Sequence, residues 1–166
     1  IKRMIKKDYP GAILGEFNFE IDENGVPYWI VPDIKVTSGI GGLKTTQGAF
    51  IINAQSGEIK RYSVEEIPSW VDRAFDTDII RKQINNLGEL SNGFFNSIFT
   101  QNGIKTSTDL YNFIVENDDV YLYTGITSAK SEDKSNIGFM TVNMRTGQSK
   151  FITLASADET SAKESA

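Results

Sequence analysis

The residues able to do chemistry in this chain are mostly carboxylates, and they gather at Asp22-Glu23, Glu65-Glu66, Asp118-Asp119 and Glu132-Asp133. Paired carboxylates could serve as general acid and base, or as oxygen ligands for a hard cation. None of these pairs has the spacing of a twelve-residue calcium loop, and each falls in a polar turn where a solvated acid needs no ligand. Histidine and cysteine are both absent. Their absence removes the commonest general base, thiolate nucleophiles, disulfides and the usual transition-metal ligands. A Ser–Lys arrangement or a carboxylate-based hydrolase acting on cell-wall polymers remains chemically open; the latter requires two acids facing each other across a cleft, roughly 5 to 9.5 Å apart. A glycine-rich stretch, Ser38-Gly-Ile-Gly-Gly-Leu-Lys-Thr45, ends like a phosphate-binding loop, but Leu43 precedes Lys44 and a strand follows, so it reads as a hairpin connection. No cofactor or metal site is expected.

The 166 residues carry 17 basic and 22 acidic side chains, a net charge of −5. That balance argues against a nucleic-acid surface, which needs a clustered positive field. The length suits one domain or two small, closely packed ones. No apolar run approaches the roughly 20 residues of a membrane helix. The chain opens on Ile1 and ends within Ser156–Ala166, which has the composition of a helix start, so it reads as the soluble part of a longer protein.

Helical spacing of Ile1, Met4 and Ile5 predicts a short amphipathic helix, stopped by Pro10-Gly11. Phe17, Phe19 and Ile21 alternate with Glu16, Asn18 and Glu20, the period of a half-buried strand. After the turn Asp22-Glu-Asn-Gly25, a strand over Val26–Val36 contains Pro27 and Pro32, which suggest an edge or a bulge. Ser63-Val-Glu-Glu66 has capping-box spacing, and Pro68 suits the first turn of a helix over Ser69–Phe75. A firmer helix follows Asp76, with Ile80, Ile84 and Leu87 on one face and Gly88 at its end. Leu90–Thr100 reads as a third helix. Two strands, Leu110–Glu116 and Val120–Thr127, flank Asn117-Asp-Asp119.

One stretch recurs. Gly48-Ala-Phe-Ile-Ile-Asn-Ala-Gln-Ser-Gly-Glu-Ile-Lys-Arg-Tyr62 returns as Gly138-Phe-Met-Thr-Val-Asn-Met-Arg-Thr-Gly-Gln-Ser-Lys-Phe-Ile152. Both copies read as hairpins whose turns carry Asn53, Ser56 and Gly57 in the first and Asn143, Thr146 and Gly147 in the second. Upstream, Asn18-Phe19 through Val26 can be laid on Asn112-Phe113 through Val120. The expected fold is therefore α+β, with two pseudo-repeated units, each a helix followed by an antiparallel sheet of about four strands: residues 1–63, then 64–154 including a helical connection, with 155–166 starting a further helix. Such a meander leaves an apolar face open, which helices or the other unit must cover.

The order helix, strand, Asp-Glu-Asn-Gly turn, Tyr28-Trp29-Ile30 strand and Ile52-Asn-Ala-Gln-Ser-Gly-Glu-Ile59 resembles the PepSY module of bacterial envelope proteins. That family carries Asp-x-x-Thr-Gly-Glu near its end; here Asn53 and Asn143 replace the Asp, and Gln148 replaces the Glu in the second copy. The resemblance implies a non-catalytic domain on the extracytoplasmic face of the membrane, joined to the membrane only through other segments, that restrains peptidases or binds surface partners. A protein or peptide partner is expected, at a groove between the units or a free sheet edge. Tyr28, Trp29, Tyr121 and Tyr123 are the candidate binding surface, although Trp29 and Trp70 are also suited to completing a core. A small apolar-ligand carrier is a further alternative.

Overall fold

The computed structural model describes residues 1–37, 42–86, 104–128 and 136–153. It is an α+β structure with two antiparallel sheets. Helix α1 (Lys2–Asp8) precedes the first sheet, formed by β1 (Ile13–Leu14), β2 (Asn18–Ile21), β3 (Pro27–Val36), β4 (Lys44–Asn53) and β5 (Ile59–Ser63). A 3₁₀ turn (Val64–Glu66) and an extended connection lead to α2 (Thr77–Asn86). The second sheet is a meander of β6 (Ile104–Glu116), β7 (Asp119–Ser128), β8 (Asn136–Asn143) and β9 (Ser149–Thr153). The anticipated third helix over Leu90–Thr100 lies outside the described residues, as do Leu87, Gly88 and 155–166.

Among the described residues, three apolar clusters hold the sheets. Ile5 of α1 packs with Val31, Phe50 and Ile52 on one face of the first sheet, and Trp29, Tyr9 and Ile59 close that cluster. The opposite face, Ile30, Ala49 and Ile51, is covered by Ile67, Val71 and Ala74 of the connection, with Tyr28 and Trp70 at the margin. In the second sheet Leu122, Ile126, Met140 and Val142 pack under Ile80 and Ile84 of α2. Of the predicted α1 stripe only Ile5 is buried, Ile1 and Met4 being exposed.

Ser69–Phe75 forms no helix, contrary to the sequence reading. The capping box at Ser63 and Glu66 does form, but it caps the 3₁₀ turn. After the local bond from the Val71 amide to the Pro68 carbonyl, the backbone donors go to distant partners: the amides of Asp72 and Arg73 donate to the Glu20 carboxylate at 2.9 and 3.0 Å, and those of Ala74 and Phe75 both donate to the Met144 carbonyl at 2.9 Å. Four consecutive amides satisfied in this way stabilise the extended path over a helix, whose first-turn amides would lack partners.

The same clasp inverts the expected faces of β2. Asn18 is buried and donates to the Arg73 carbonyl at 3.2 Å, whereas Phe19 and Ile21 are 52% and 60% exposed. The polar side of β2 faces inward because it hydrogen-bonds the connection. The prolines also need correction: β3 lies between β1/β2 and β4, not at an edge. Pro27 starts the strand, and Pro32 stands in the interval between the β2 pairing, which stops at Ile30, and the β1 pairing, which begins at Asp33. A bulge at Asp33/Ile34 follows, as that pair of prolines also suggested.

Candidate functional site

The two matched hairpin turns have the same hydrogen-bond pattern. Asn53 Oδ1 accepts from the amides of Gln55 and Ser56, and Asn143 Oδ1 accepts from those of Arg145 and Thr146, all at 2.9 Å. Ser56 and Thr146 hydroxyls each accept the amide two residues on, and Gly57 and Gly147 sit at φ 76° and 73°. Side-chain oxygens and glycine here replace the backbone partners that a tight turn leaves unmet. Strand register departs from the sequence match by one residue after the first turn: Val120 pairs with Val115, but Ile21 pairs with Pro27, not Val26. Leu122 and not Tyr123 therefore takes the place of Trp29: Phe19 pairs with Trp29 and Phe113 with Leu122, while Trp29 pairs with Ile52 and Leu122 with Val142.

Burial separates the turns. The first is largely exposed, but Asn143 and Met144 are buried in the second, where Asn143 Nδ2 donates to Asp119 at 2.9 Å and Arg145 pairs with the same carboxylate at 2.6 Å. These turn residues are engaged in holding backbone.

The four aromatic candidates do not converge. Tyr28 and Trp29, adjacent in β3, point to opposite faces: Trp29 meets Phe19 edge-on with centroids 5.2 Å apart, and Tyr28 lies 4.8 Å from Trp70. Tyr28 lines a cleft of about 140 Å³ with Asn53, Lys60, Tyr62 and Trp70. Tyr121 and Tyr123 share the outer face of the second sheet, where Tyr123 stacks on Phe139 at 4.9 Å. Among the described residues that outer face contributes to no core cluster.

A larger cleft, about 580 Å³, lies where the connection and α2 meet β6, and is lined by Glu16, Arg73, Asp76, Thr77, Asp78, Tyr111 and Phe113. Asp76 positions its wall by accepting the Ile79 amide at 3.0 Å, which caps α2, and the Glu16 amide at 2.9 Å. With both oxygens so bound, Asp76 acts as a structural clamp. Arg73 and Arg81 stand over the rings of Phe113 and Tyr111, 4.5 and 4.6 Å from their centroids. Their carboxylate partners are distant: Arg73 to Glu16 and Arg81 to Asp78 are both 3.9 Å, and Glu16 and Asp78 are 60% and 77% exposed. Bonded to the Arg73 amide, Glu20 has its pKa raised, chiefly by burial, against which the amides of Asp72 and Arg73 favour the charged form. Asp72 is raised too, by burial and then by the charge of Asp119.

Strand β6 forms the cleft's other wall and is the most exposed apolar element described. Leu110 is 81% and Val115 75% exposed, and Tyr111, Phe113 and Ile114 are each more than a third exposed. Among the described residues β6 pairs with β7 alone, so one edge of the strand has no partner strand. Sequence reasoning missed Arg73, Arg81 and the cleft, since nothing local marks an arginine that will lie over a ring some thirty or forty residues away. The signal for β6 was present: Leu110-Tyr-Asn-Phe-Ile-Val115 is apolar on both faces, a pattern of strands buried on both sides, on a strand that proves exposed. Among the described residues no cluster of acids, such as a metal would need, forms, and no helix is long and apolar enough to cross a membrane. The chain matches no family model, no curated protein and no solved structure.

Proposed function

We propose that this chain is a non-catalytic, extracytoplasmic domain of a larger membrane-associated protein that binds another protein or a peptide. In this reading it comprises two PepSY-like units, each a helix followed by an antiparallel meander, and the contact surface is β6 with the cleft beside it. The observation that carries the binding reading is the edge: a strand of 13 residues with five exposed apolar side chains between Leu110 and Val115. An exposed apolar edge strand is an aggregation hazard unless it is covered or charged. Here the uncharged run from Tyr111 to Val115 supplies no charge, and a partner that covers it explains why such a surface is tolerated. The matching turns support the two-unit reading, and the envelope setting rests on the sequence resemblance.

Selection of a random heptapeptide library on the immobilised chain tests this. Convergent peptides should emerge, and the Leu110→Lys/Val115→Lys double variant should weaken their binding by roughly tenfold or more, as removal of anchoring apolar contacts does. Absence of convergence, or equal binding to the variant, would contradict the assignment.

A further inference from the structure

The chemistry of the partner is readable from the geometry of β6, given the binding reading above. Asn117 and Asp118 have φ of 51° and 61°, both left-handed, which identifies a two-residue type I′ turn between Glu116 and Asp119. The residues flanking such a turn exchange both backbone hydrogen bonds, and narrow and wide pairs then alternate along the ladder. Glu116, Ile114 and Asn112 therefore bond to β7. Tyr111, Phe113 and Val115 direct their N–H and C=O groups away from it, toward the edge that carries no strand among the described residues. An extended peptide laid there meets a ready row of donors and acceptors.

Side chains of that added strand alternate between two unlike environments. Those level with Ile114 fall on the outer face of the sheet, beside an isoleucine that is 40% exposed. Those level with Tyr111 and Phe113 fall on the cleft face, about 6.8 Å apart at the usual strand rise, next to the rings that carry Arg81 and Arg73. These two arginines contrast with Arg61 and Arg145, whose carboxylates lie at 2.5 and 2.6 Å. At 3.9 Å from exposed acids, Arg73 and Arg81 can exchange carboxylate partners at little cost, while Arg73 Nη2 also donates to the Thr77 hydroxyl at 3.2 Å.

We infer that β6 accepts an extended peptide strand with carboxylates at alternate positions, facing Arg73 and Arg81, and an apolar residue between them over Ile114. A second copy of β6 fits less well. It presents Tyr111, Phe113 and Val115, none of them acidic, at the cleft-facing positions of the strand.

Fluorescence anisotropy with a labelled peptide Thr-Val-Asp-Val-Asp-Val-Thr, and with its Asn-for-Asp counterpart, tests the inference on the intact chain. The acidic peptide should bind roughly fivefold to tenfold more tightly, as two exposed Arg–carboxylate pairs warrant, and the preference should shrink with salt. Arg73→Gln with Arg81→Gln should abolish the preference, and Arg73→Lys with Arg81→Lys should restore part of it, which separates charge from loss of fold. N-methylation of alternate peptide amides should weaken both peptides. If both bind equally, the acidic preference is wrong while edge binding stands; if neither binds, the binding reading itself fails. A dimer by light scattering that Val115→Pro dissociates would assign the edge to a second copy and overturn the inference.

Discussion

The turn at Asn53 and the turn at Asn143 use the same hydrogen bonds, yet one is largely exposed to solvent and the other is a joint. Gly57 has only the end of Met4 near its missing side chain, whereas a Cβ at Gly147 would lie 2.6 Å from the Phe75 ring. The connection after β5 makes the difference. It doubles back across the first sheet, covering its second face with Ile67, Val71 and Ala74, and then delivers the amides of Ala74 and Phe75 to the Met144 carbonyl. Similar local sequence thus gives similar local structure, while burial is decided by where a non-matching segment runs. The first sheet is covered on both faces; the second has one face beneath α2, while Tyr121, Tyr123 and the exposed Ile114 lie on the other.

The contrast between the turns is sharpest at the glycines. Gly147→Ala should lower stability by about 2–4 kcal/mol, because left-handed strain adds to a clash with a packed ring, while Gly57→Ala should cost about 1 kcal/mol from strain alone. Urea denaturation of the two variants checks this, and equal losses would break the comparison. Asn143→Ala is expected to cost about 2–3 kcal/mol, since it strands two turn amides at a buried position and removes the bond to the half-buried Asp119, against about 1 kcal/mol for the half-exposed Asn53→Ala. The smallest effect concerns the clasp. Burial holds the Glu20 pKa above the usual 4.5, so its folded form is the better proton binder. Its contribution to stability is full below the unfolded pKa and declines as pH rises through the folded value. Glu20→Gln keeps only one of the two amide acceptors, so it should cost about 1 kcal/mol and flatten that decline across mildly acidic pH; an unchanged pH slope would show that Glu20 is not the titrating group.

Much of this was legible in the residues. Asn-x-x-Ser/Thr-Gly announced both turns, Asp76 with Ile80 and Ile84 announced α2, and alternation announced the strands, because each of these signals is local. The extended path of Ser69–Phe75 was not, since its amides are satisfied by Glu20 and Met144, some fifty and seventy residues distant. Neither was the inward face of β2: Asn18 and Glu20 look like a solvated side until the connection that they bind is in view. Of the predicted binding aromatics, Trp29 and Tyr28 were separated by strand alternation itself. The exposed apolar character of β6 was written in Leu110–Val115, but a strand's neighbours, which decide whether such a run is core or edge, are a property of topology.

Amide hydrogen exchange along β6, read residue by residue by NMR, tests the central claim most directly. In the free chain the amides of Asn112, Ile114 and Glu116 should be protected and those of Tyr111, Phe113 and Val115 should exchange rapidly, with protection spreading to the second set when the acidic strand peptide is added. Uniform protection of both sets before any peptide is present, or no change after it, would show that this edge is already satisfied and is not where a partner docks.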